Sequence, residues 1–374
     1  MKHTKAFLLL ALSVLIFSCS GEKSGYGPIF YNICQEVALE EPVVTGNIYS
    51  IVEGQIGSAD YLFAANGRLW KKEALAERGW VECTLPDDVN DDIGFNKIIR
   101  LATTDGYLYA FTAYKKVYYT KLEETFNWVD ISDSLATVST SANYTCTIFD
   151  NDAPCDGTGV RRAFYSNSST NAVYELKDGV AQTTALSVTV APNIGYNGYY
   201  TSSSTSVPAT PIKAAYISTN NTTIFSADVL LTSNRTTTFY HAANDRIDYS
   251  TDGATWNSVT PDIAVPYSLA YYTDGSNGWL YLGNKTGIEA ININTNAGSD
   301  GVPTTTVSSA VGSNITSCLG DMLVMGIYPY PMGSKNVYAA AVVYFSTTAA
   351  SNKNKLWGYY PTRADGNDDT WNCE

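Results

Sequence analysis

The stretch Ile98–Asp130, IIRLATTDGYLYAFTAYKKVYYTKLEETFNWVD, holds four short apolar or aromatic runs separated by polar turn residues. The runs are Ile98–Thr103, Tyr107-Leu108-Tyr109, Val117-Tyr118 and Trp128-Val129-Asp130. The dipeptide Asp105-Gly106 separates the first two, and Asp-Gly pairs accept the positive φ that tight hairpin turns require. This stretch therefore predicts four consecutive antiparallel strands.

The same arrangement recurs along the chain. Each repeat unit contains an aromatic-rich triplet, and successive triplets are 41 to 75 residues apart. The six triplets are Tyr61-Leu62-Phe63, Tyr107-Leu108-Tyr109, Ala163-Phe164-Tyr165, Thr238-Phe239-Tyr240, Trp279-Leu280-Tyr281 and Val337-Tyr338-Ala339. Units of four strands, repeated about every 40 to 60 residues, are typical of a β-propeller, because small twisted sheets arranged radially cover each other's faces. We therefore predict an all-β chain forming a single β-propeller of six four-stranded blades, with seven blades as the alternative because the fourth unit is long.

Two stretches interrupt the repeat. Ala191–Pro211 is rich in Ser, Thr, Tyr, Asn and Pro, and Gly326–Gly333 reads GIYPYPMG. Both are interpreted as loops of the same propeller. Lys71–Arg78 has a short helical pattern and is interpreted as an addition to a loop.

Composition excludes two classes of protein. The chain has 374 residues, 45% hydrophobic and 16% charged, which is too apolar for a disordered chain. The formal net charge is −13, whereas binding to a nucleic-acid backbone needs clustered Lys and Arg. We therefore expect a folded chain with no nucleic-acid partner.

The N-terminus carries an export signal. Residues 1–19 read MKHTKAFLLLALSVLIFSC, in which the basic Lys2 and Lys5 precede an apolar run from Ala6 to Phe17 that is too short to span a bilayer. Its end, Ile16-Phe17-Ser18-Cys19, resembles the lipobox of bacterial lipoproteins. An ordinary secretory signal with an incidental Cys is the alternative.

The lipobox resemblance implies cleavage before Cys19, followed by acylation of that residue with more than one chain, palmitate among them, which gives stable anchoring in a membrane. It predicts a lipoprotein signal peptide over 1–18, a lipidated tether over 19–27 and the propeller domain over 28–374. Residue 20 is Ser rather than the Asp that retains some lipoproteins in the inner membrane. We therefore expect the outer membrane, on its periplasmic or its surface face.

Six cysteines remain after Cys19, and an even number outside the cytoplasm favours disulfide bonds. Cys146 and Cys155 are close in sequence and form the candidate pair. Pairing among the other four is left open.

Residues 249–256 read YSTDGATW and resemble the Asp-box (BNR) hairpin of sialidase-like and many non-enzymatic propellers, with one spacer missing between Asp and Gly. In that family the Asp caps the turn and the Trp packs between sheets. The resemblance implies structural roles for Ser250, Asp252 and Trp256.

Catalytic and metal-binding patterns are scarce. His241 is the one His outside the signal, so a Ser-His-Asp triad is not indicated. The acidic pairs and clusters, Asp87-Asp88 and Asp91-Asp92 among them, lack the spacing of a Ca²⁺ loop and are interpreted as solvated turn residues. The sequence predicts no catalytic residue, metal site or cofactor, and it favours a protein that is not an enzyme.

Aromatic loops are the candidate binding residues. Tyr196, Tyr199 and Tyr200 lie in the first interrupting stretch, and Tyr328 and Tyr330 alternate with prolines in the second. Tyrosine suits recognition of sugars and proteins because it offers large contact area and a hydroxyl group. The alternative is that these rings pack on their own sheets.

The sequence therefore predicts a lipid-anchored envelope propeller that binds or displays a protein or glycan partner. Two alternatives stay open: a carbohydrate-active hydrolase or lyase with carboxylates in the central channel, and a scaffold for envelope assembly.

We predict that Cys19→Ser abolishes incorporation of labelled fatty acid into the expressed protein, because the acylated residue is lost. Cys34→Ser is the matched control and should label normally. Undiminished labelling of the Cys19 variant would contradict the lipobox interpretation.

Overall fold

The structure is a computed structural model of the chain. It describes residues 43–74, 76, 79–135, 146–150, 161–167, 172–182, 187–190, 199–202, 205–208, 214–217, 223–227, 229–233, 236–242, 247–250, 257–259, 268–273, 278–284, 287–293, 303–308, 324–329, 337–341, 356–360 and 370–374. Residues Val43–Asn372 with Glu374 form one compact unit.

Six four-stranded antiparallel sheets make up most of the described residues, and in each the strands pair in chain order. The first three sheets are β1 (Ser50–Ile56), β2 (Ala59–Ala65), β3 (Leu69–Glu73) and β4 (Val81–Glu82); β5 (Ile98–Thr103), β6 (Tyr107–Thr112), β7 (Val117–Lys121) and β8 (Val129–Asp130); and β9 (Cys146–Asp150), β10 (Ala163–Asn167), β11 (Ala172–Lys177) and β12 (Val180–Ala181). One short helix, α1 (Asp87–Asp91), joins the first sheet to the second, and a 3₁₀ turn, Ser132–Ser134, follows β8.

A smaller sheet follows the third. Its strands are β13 (Ser187–Val190), β16 (Ala214–Ile217) and β17 (Thr223–Ala227), with β17 in the centre, and β13 is parallel to it. Strands β14 (Tyr199–Ser202) and β15 (Thr205–Pro208) form a separate hairpin.

The last three four-stranded sheets then follow in order. They are β18 (Val229–Ser233), β19 (Thr236–Ala242), β20 (Ile247–Ser250) and β21 (Asn257–Val259); β22 (Ser268–Thr273), β23 (Gly278–Asn284), β24 (Gly287–Ile293) and β25 (Pro303–Ser308); and β26 (Val324–Pro329), β27 (Val337–Ala341), β28 (Leu356–Tyr360) and β29 (Thr370–Cys373).

The sheets are arranged in a closed ring. Contacts run from β1 to β5, β9, β16, β18, β22 and β26 in turn, and β26 contacts β1. The chain is therefore an all-β propeller, as the sequence predicts. The triplets predict the six four-stranded sheets and miss the three-stranded one between the third and the fourth, so the total number of blades stays a prediction.

Each triplet lies in the second strand of its sheet, and in the first three sheets both faces of that strand are covered. Leu62 belongs to a core cluster with Leu356 of the sixth sheet, whereas its neighbour Phe63 belongs to a cluster with Leu108 of the second sheet. Tyr109 lies in turn with Tyr165 of the third sheet. Because both faces are buried, these strands are apolar runs rather than alternating patterns.

Three sequence interpretations are corrected by the strand bounds. Lys71–Glu73, part of the stretch interpreted as helical, completes β3, and the side chain of Lys72 is buried. Gly326–Pro329, interpreted as a loop, forms most of β26. The stretch Ala191–Pro211, also interpreted as a loop, contains the hairpin of β14 and β15. In each case pairing with a neighbouring strand outweighs the local composition.

The described residues bear on the expected disulfide bonds at Cys83. Cys83 is a free thiol in the core between the first two sheets, where burial raises its pKa to about 12. With Cys83 free, the six cysteines cannot form three bridges. Cys146 begins β9, and its candidate partner Cys155 lies outside the described residues.

The ring is closed by a buried ion pair at the last residue of the sequence. The Glu374 carboxylate lies 3.5 Å from the Lys72 ammonium and accepts a 2.9 Å hydrogen bond from the Trp80 indole. Its backbone carbonyl accepts the N–H groups of Val43 and Val44, at 2.8 and 3.0 Å. These contacts join the first sheet to the last.

No helix in the described part of the chain has the length and apolar character needed to cross a membrane.

We predict that Glu374→Ala lowers the free energy of unfolding by about 3–5 kcal/mol, because it removes the carboxylate that faces a buried ammonium. Urea denaturation measures the loss. The double variant Lys72→Met with Glu374→Leu should recover most of it, since both charges are then gone.

The control is Glu82→Gln, which breaks the exposed pair with Arg68 and should cost less than about 1 kcal/mol. Equal urea midpoints for Glu374→Ala and the unmodified protein would contradict the closing role of this pair.

Candidate functional site

Two groups of residues, each built around polar side chains, lie at opposite ends of the second sheet. Strand β5 begins at Ile98, beside the turns 92–97 and 113–116, and it ends at Thr103. We call Asp87, Asp91, Asp92, Phe95 and Tyr114, at the end where β5 begins, the Phe95–Tyr114 surface. The other group contains Glu53, Thr103 and Arg161.

Asp92 contacts both turns of the Phe95–Tyr114 surface. Its backbone carbonyl accepts the N–H groups of Phe95 and Asn96, at 3.0 and 2.8 Å, which closes the turn before β5. Its carboxylate accepts a 3.2 Å hydrogen bond from the Tyr114 hydroxyl. Phe95 is nevertheless 72% exposed and Tyr114 57% exposed. Two aromatic side chains are therefore presented to solvent on turns that backbone hydrogen bonds hold together.

A charged network involves the same helix and the same turn as this surface. Asp88 accepts hydrogen bonds from the Lys116 ammonium and from the Tyr118 hydroxyl, which lies 2.7 and 2.6 Å from its two oxygens. The same ammonium lies 3.4 Å from the Asp130 carboxylate. Lys116 thus bridges Asp88 in α1 and Asp130 in β8.

The network sets the protonation states of Asp88, Lys116 and Tyr118. Burial alone would raise the pKa of Asp88, but the hydrogen bonds from Lys116 and Tyr118 outweigh it and hold that pKa below the ordinary 3.8. The bond to Asp88 raises the pKa of Lys116, and burial followed by the same bond raises the pKa of Tyr118. At neutral pH the carboxylate and the ammonium are charged and the phenol is a neutral donor.

The group at the other end joins three sheets. The Arg161 guanidinium binds the Glu53 carboxylate and lies 2.5 Å from the Glu53 carbonyl oxygen and 3.0 Å from the Thr103 hydroxyl. The Thr103 hydroxyl donates to the same carbonyl at 2.6 Å. Arg161, which precedes β10, thereby connects the third sheet to β5 and β1.

This arrangement neutralises the Glu53 carboxylate. Among the first-strand side chains that the structure describes, Glu53 carries the one carboxyl group, and it is paired with Arg161. Glycoside hydrolysis requires two carboxyl groups on either side of the scissile bond. Within the described residues there is also no group of three or more His, Cys, Asp or Glu suited to a metal ion.

The residues predicted from sequence are spread over several sheets. Tyr199 and Tyr200 begin β14, whereas Tyr328 lies in β26, half-buried, and packs against the core cluster that contains Val44 and Leu356. Ser250 ends β20. Cys19, Tyr196, Asp252, Trp256 and Tyr330 lie outside the described residues.

Sequence reasoning missed Phe95 and Tyr114. Their neighbours Asp87, Asp88, Asp91 and Asp92 are interpreted above as solvated turn acids, and two of them instead hold the surface together. The available signal was the Phe in the polar connection Gly94-Phe95-Asn96, where an aromatic residue has no strand to complete.

Comparison with known proteins identifies the family. The model of the TP013X lipoprotein family matches residues 3–315. The chain belongs to the TP013X lipoprotein family. A lipoprotein is held in a membrane by its lipid, so this TP013X member is a lipid-anchored protein of the bacterial cell envelope.

One curated relative and two solved structures are similar to this TP013X lipoprotein. An uncharacterized lipoprotein of Treponema pallidum (strain Nichols) is 46% identical over 48 residues, which are 13% of this chain and 12% of that protein. The chain thus matches about an eighth of the length of that relative.

The structures are propellers. A catalytically inactive virginiamycin B lyase from Staphylococcus aureus, with quinupristin, has a TM-score of 0.50 at 12% identity, over 86% of this chain and 96% of that one. A mutant of Aleuria aurantia lectin with α-methyl-L-fucoside has a TM-score of 0.42 at 12% identity, over 89% and 95%. At this identity the likeness to the lyase concerns the fold alone, and the lectin is the weaker match.

We predict that Lys116→Met raises the pKa of Asp88, because the main groups that lower it are the hydrogen-bond donors Lys116 and Tyr118. Carboxyl ¹³C chemical shifts measured against pH report this directly. A carboxyl whose pKa is lowered by folding stabilises the protein above its unfolded pKa and loses that effect as the pH falls through the folded pKa.

The stability lost in Lys116→Met should therefore be present at neutral pH and shrink below about pH 4. It should stay under about 1 kcal/mol, since both side chains are partly exposed. Lys121→Met, at the other end of β7, is the control. An unchanged Asp88 titration in the Lys116 variant would contradict the network.

Proposed function

We propose that this TP013X lipoprotein is a non-enzymatic binding module of the bacterial envelope. A lipid on Cys19 anchors the propeller, and the Phe95–Tyr114 surface binds a protein or glycan partner. The observation that carries this proposal is the pair of exposed aromatic rings held on hydrogen-bonded turns at one end of the second sheet. Family membership supports the anchor.

Leaving these rings exposed gives up free energy that their burial would contribute to folding. Burying a Phe side chain is worth about 1.5–3 kcal/mol, and the folded chain forgoes most of that at Phe95. One exposed aromatic residue is ordinary on a protein surface. Two of them lie on turns that the same Asp92 holds, so the backbone at this contact needs little further ordering when a partner binds.

The hairpin of β14 and β15 supplies a second candidate contact. It lies in the segment that joins the end of β13 to the start of β16. The Phe95–Tyr114 surface likewise lies where β5, the first strand of its sheet, begins. Tyr199 and Tyr200 therefore belong to a connection at the corresponding end of their own sheet, which favours a binding rim made of loops at one end of the ring.

The anchor completes the proposal. Cleavage before Cys19 and acylation of that residue would leave residues 19–27 as a tether, and Ser20 favours the outer membrane. The formal net charge of −15 after loss of Lys2 and Lys5 favours partners that are not nucleic acids.

Binding is favoured over catalysis because Glu53 is engaged by Arg161. A glycoside hydrolase would need a free pair of carboxyl groups in the channel, and an assembly scaffold would bind envelope proteins without recognising glycans. These two alternatives are outcomes of the test.

The test uses the full lipidated protein in detergent micelles, immobilised and probed with a glycan array and with envelope proteins of the bacterium that expresses it. We expect saturable retention of one class, reduced about fivefold or more in Phe95→Ala with Tyr114→Ala. Val129→Ala, which removes an exposed apolar side chain from β8, is the control and should bind normally.

Two results would overturn the proposal. One is retention that is unchanged in the double variant. The other is turnover of a glycoside panel by the unmodified protein that is lost in Glu53→Gln, which would assign catalysis to the channel.

A further inference from the structure

We propose that the Phe95–Tyr114 surface rests on the lipid bilayer that holds the anchor at Cys19. This inference goes beyond the proposed function, because it concerns the anchored chain before a partner binds. A protein or glycan partner then competes with the bilayer for the two rings. The inference follows from where the chain enters the ring of sheets, from which end of that ring exposes aromatic side chains, and from the charges around them.

The segment that leads to the lipid enters the ring beside the Phe95–Tyr114 surface. The Thr45 carbonyl accepts a 2.8 Å hydrogen bond from the side chain of Asn66, in the turn between β2 and β3. The carbonyl of the next residue, Gly67, accepts the N–H of Ile98 at 3.0 Å. Ile98 begins β5 directly after the turn that carries Phe95. A short series of direct contacts therefore joins the entering chain to this surface.

The anchor holds this end of the ring close to the membrane. Val43, the first residue that the structure describes, is 51% exposed. The 24 residues 19–42 connect it to the acylated position and span at most about 85 Å. Because the tether makes contact with the bilayer intramolecular, a weak contact forms at a high effective concentration. Two rings that would not hold an unanchored protein on a membrane can therefore orient an anchored one.

The two ends of the described sheets expose different side chains. Phe95 and Tyr114 lie at the end where the chain enters. In the described turns at the opposite end, 57–58, 104–106 and 122–127, the exposed residues are Gly, Ser, Asp, Glu, Thr and Asn. Three further exposed apolar side chains lie one per sheet, each at the start of an outermost strand: Val81, Val129 and Val180. The end that leads to the lipid is therefore the one that exposes aromatic rings.

The side chains on these turns suit the headgroup layer of a bilayer. Aromatic rings are enriched at that depth, where an apolar body meets a hydrated layer. The Tyr114 hydroxyl keeps its hydrogen bond to Asp92 there. The same turns carry three lysines, whose stems can cover apolar surface while the ammonium groups stay hydrated: Lys97, Lys115 and Lys116.

The rings rather than charge carry this contact. Helix α1 and the two turns hold three lysines and four aspartates, so their local charge is 3 − 4 = −1. An anionic lipid surface attracts clusters of Lys and Arg, and these turns have no excess of either. We therefore expect the contact with neutral phosphatidylcholine.

The experiment uses the full lipidated protein in phosphatidylcholine vesicles, with p-benzoylphenylalanine replacing Phe95 or Tyr114. On irradiation this residue bonds covalently to C–H groups that it touches, and mass spectrometry measures the fraction of protein that carries a phosphatidylcholine. The control positions are Glu123, exposed at the opposite end, and Val129, exposed on β8. We expect the lipid yield at each ring position to exceed that at each control position by about fivefold or more.

A second measurement removes the rings. With p-benzoylphenylalanine at Asn90, which is exposed on α1, Phe95→Ala with Tyr114→Ala should lower the lipid yield about threefold or more, because this end of the ring then leaves the bilayer. Val129→Ala removes an exposed apolar side chain from the outer edge and is the matched control, which should leave the yield unchanged.

Three results would overturn the inference. They are equal lipid yields at Phe95 and Glu123, a yield at Asn90 that does not fall when the rings are removed, and crosslinks from the ring positions to a second copy of the chain in place of lipid. The last would assign the surface to self-association.

The outcomes also distinguish this inference from the proposed function. Equal lipid yields at ring and control positions, with envelope retention that still depends on the rings, would refute the bilayer contact alone. Lipid crosslinks at both rings, with envelope retention unchanged in the double variant, would refute the proposed partner and leave the bilayer contact.

Discussion

The structure depends on one constraint: in the first three sheets the second strand buries apolar side chains on both faces, so each of these sheets needs a neighbour on each side. Leu62 and Phe63 illustrate it, since adjacent residues pack against the last sheet and the second sheet respectively. A row of such sheets would leave two uncovered faces at its ends. Closing the row into a ring removes them, and the contacts of Glu374 with Lys72 and Trp80 lie where the first and last sheets meet.

The repeat was predictable because its determinants are local. Turn dipeptides such as Asp105-Gly106 and apolar triplets such as Tyr107–Tyr109 act within one hairpin, and the strand predicted at Ile98–Thr103 is confirmed residue for residue. The three-stranded sheet was missed because β13 pairs in parallel with β17, which follows it after a long connection and two hairpin strands. Turn chemistry between neighbouring strands carries no signal for such a pairing.

The candidate site was harder to predict because it depends on distant contacts and on exposure. Phe95 and Tyr114 come together only because Ile98 pairs with Thr112, which brings two turns to the same end of the sheet. Tyr328 shows the opposite case, since composition suggested a binding loop, whereas the register of β26 places the residue opposite Tyr338 and the ring packs on the core. Aromatic content indicates capacity for binding, but exposure decides whether it is available.

The two ends of the second sheet differ in what their contacts connect. Strand β5 spans six residues, about 20 Å, between the Phe95–Tyr114 surface and the contacts of Thr103 with Glu53 and Arg161. The contacts at Thr103 join three sheets, whereas the turns at Asp92 belong to connections beyond the strands. Substituting Phe95 or Tyr114 therefore removes little buried area, and their sequence can change to suit a partner while the ring keeps its stability. A propeller suits the proposed display for this reason: closure rigidifies the sheets, and the surface proposed for recognition lies on turns that closure does not need.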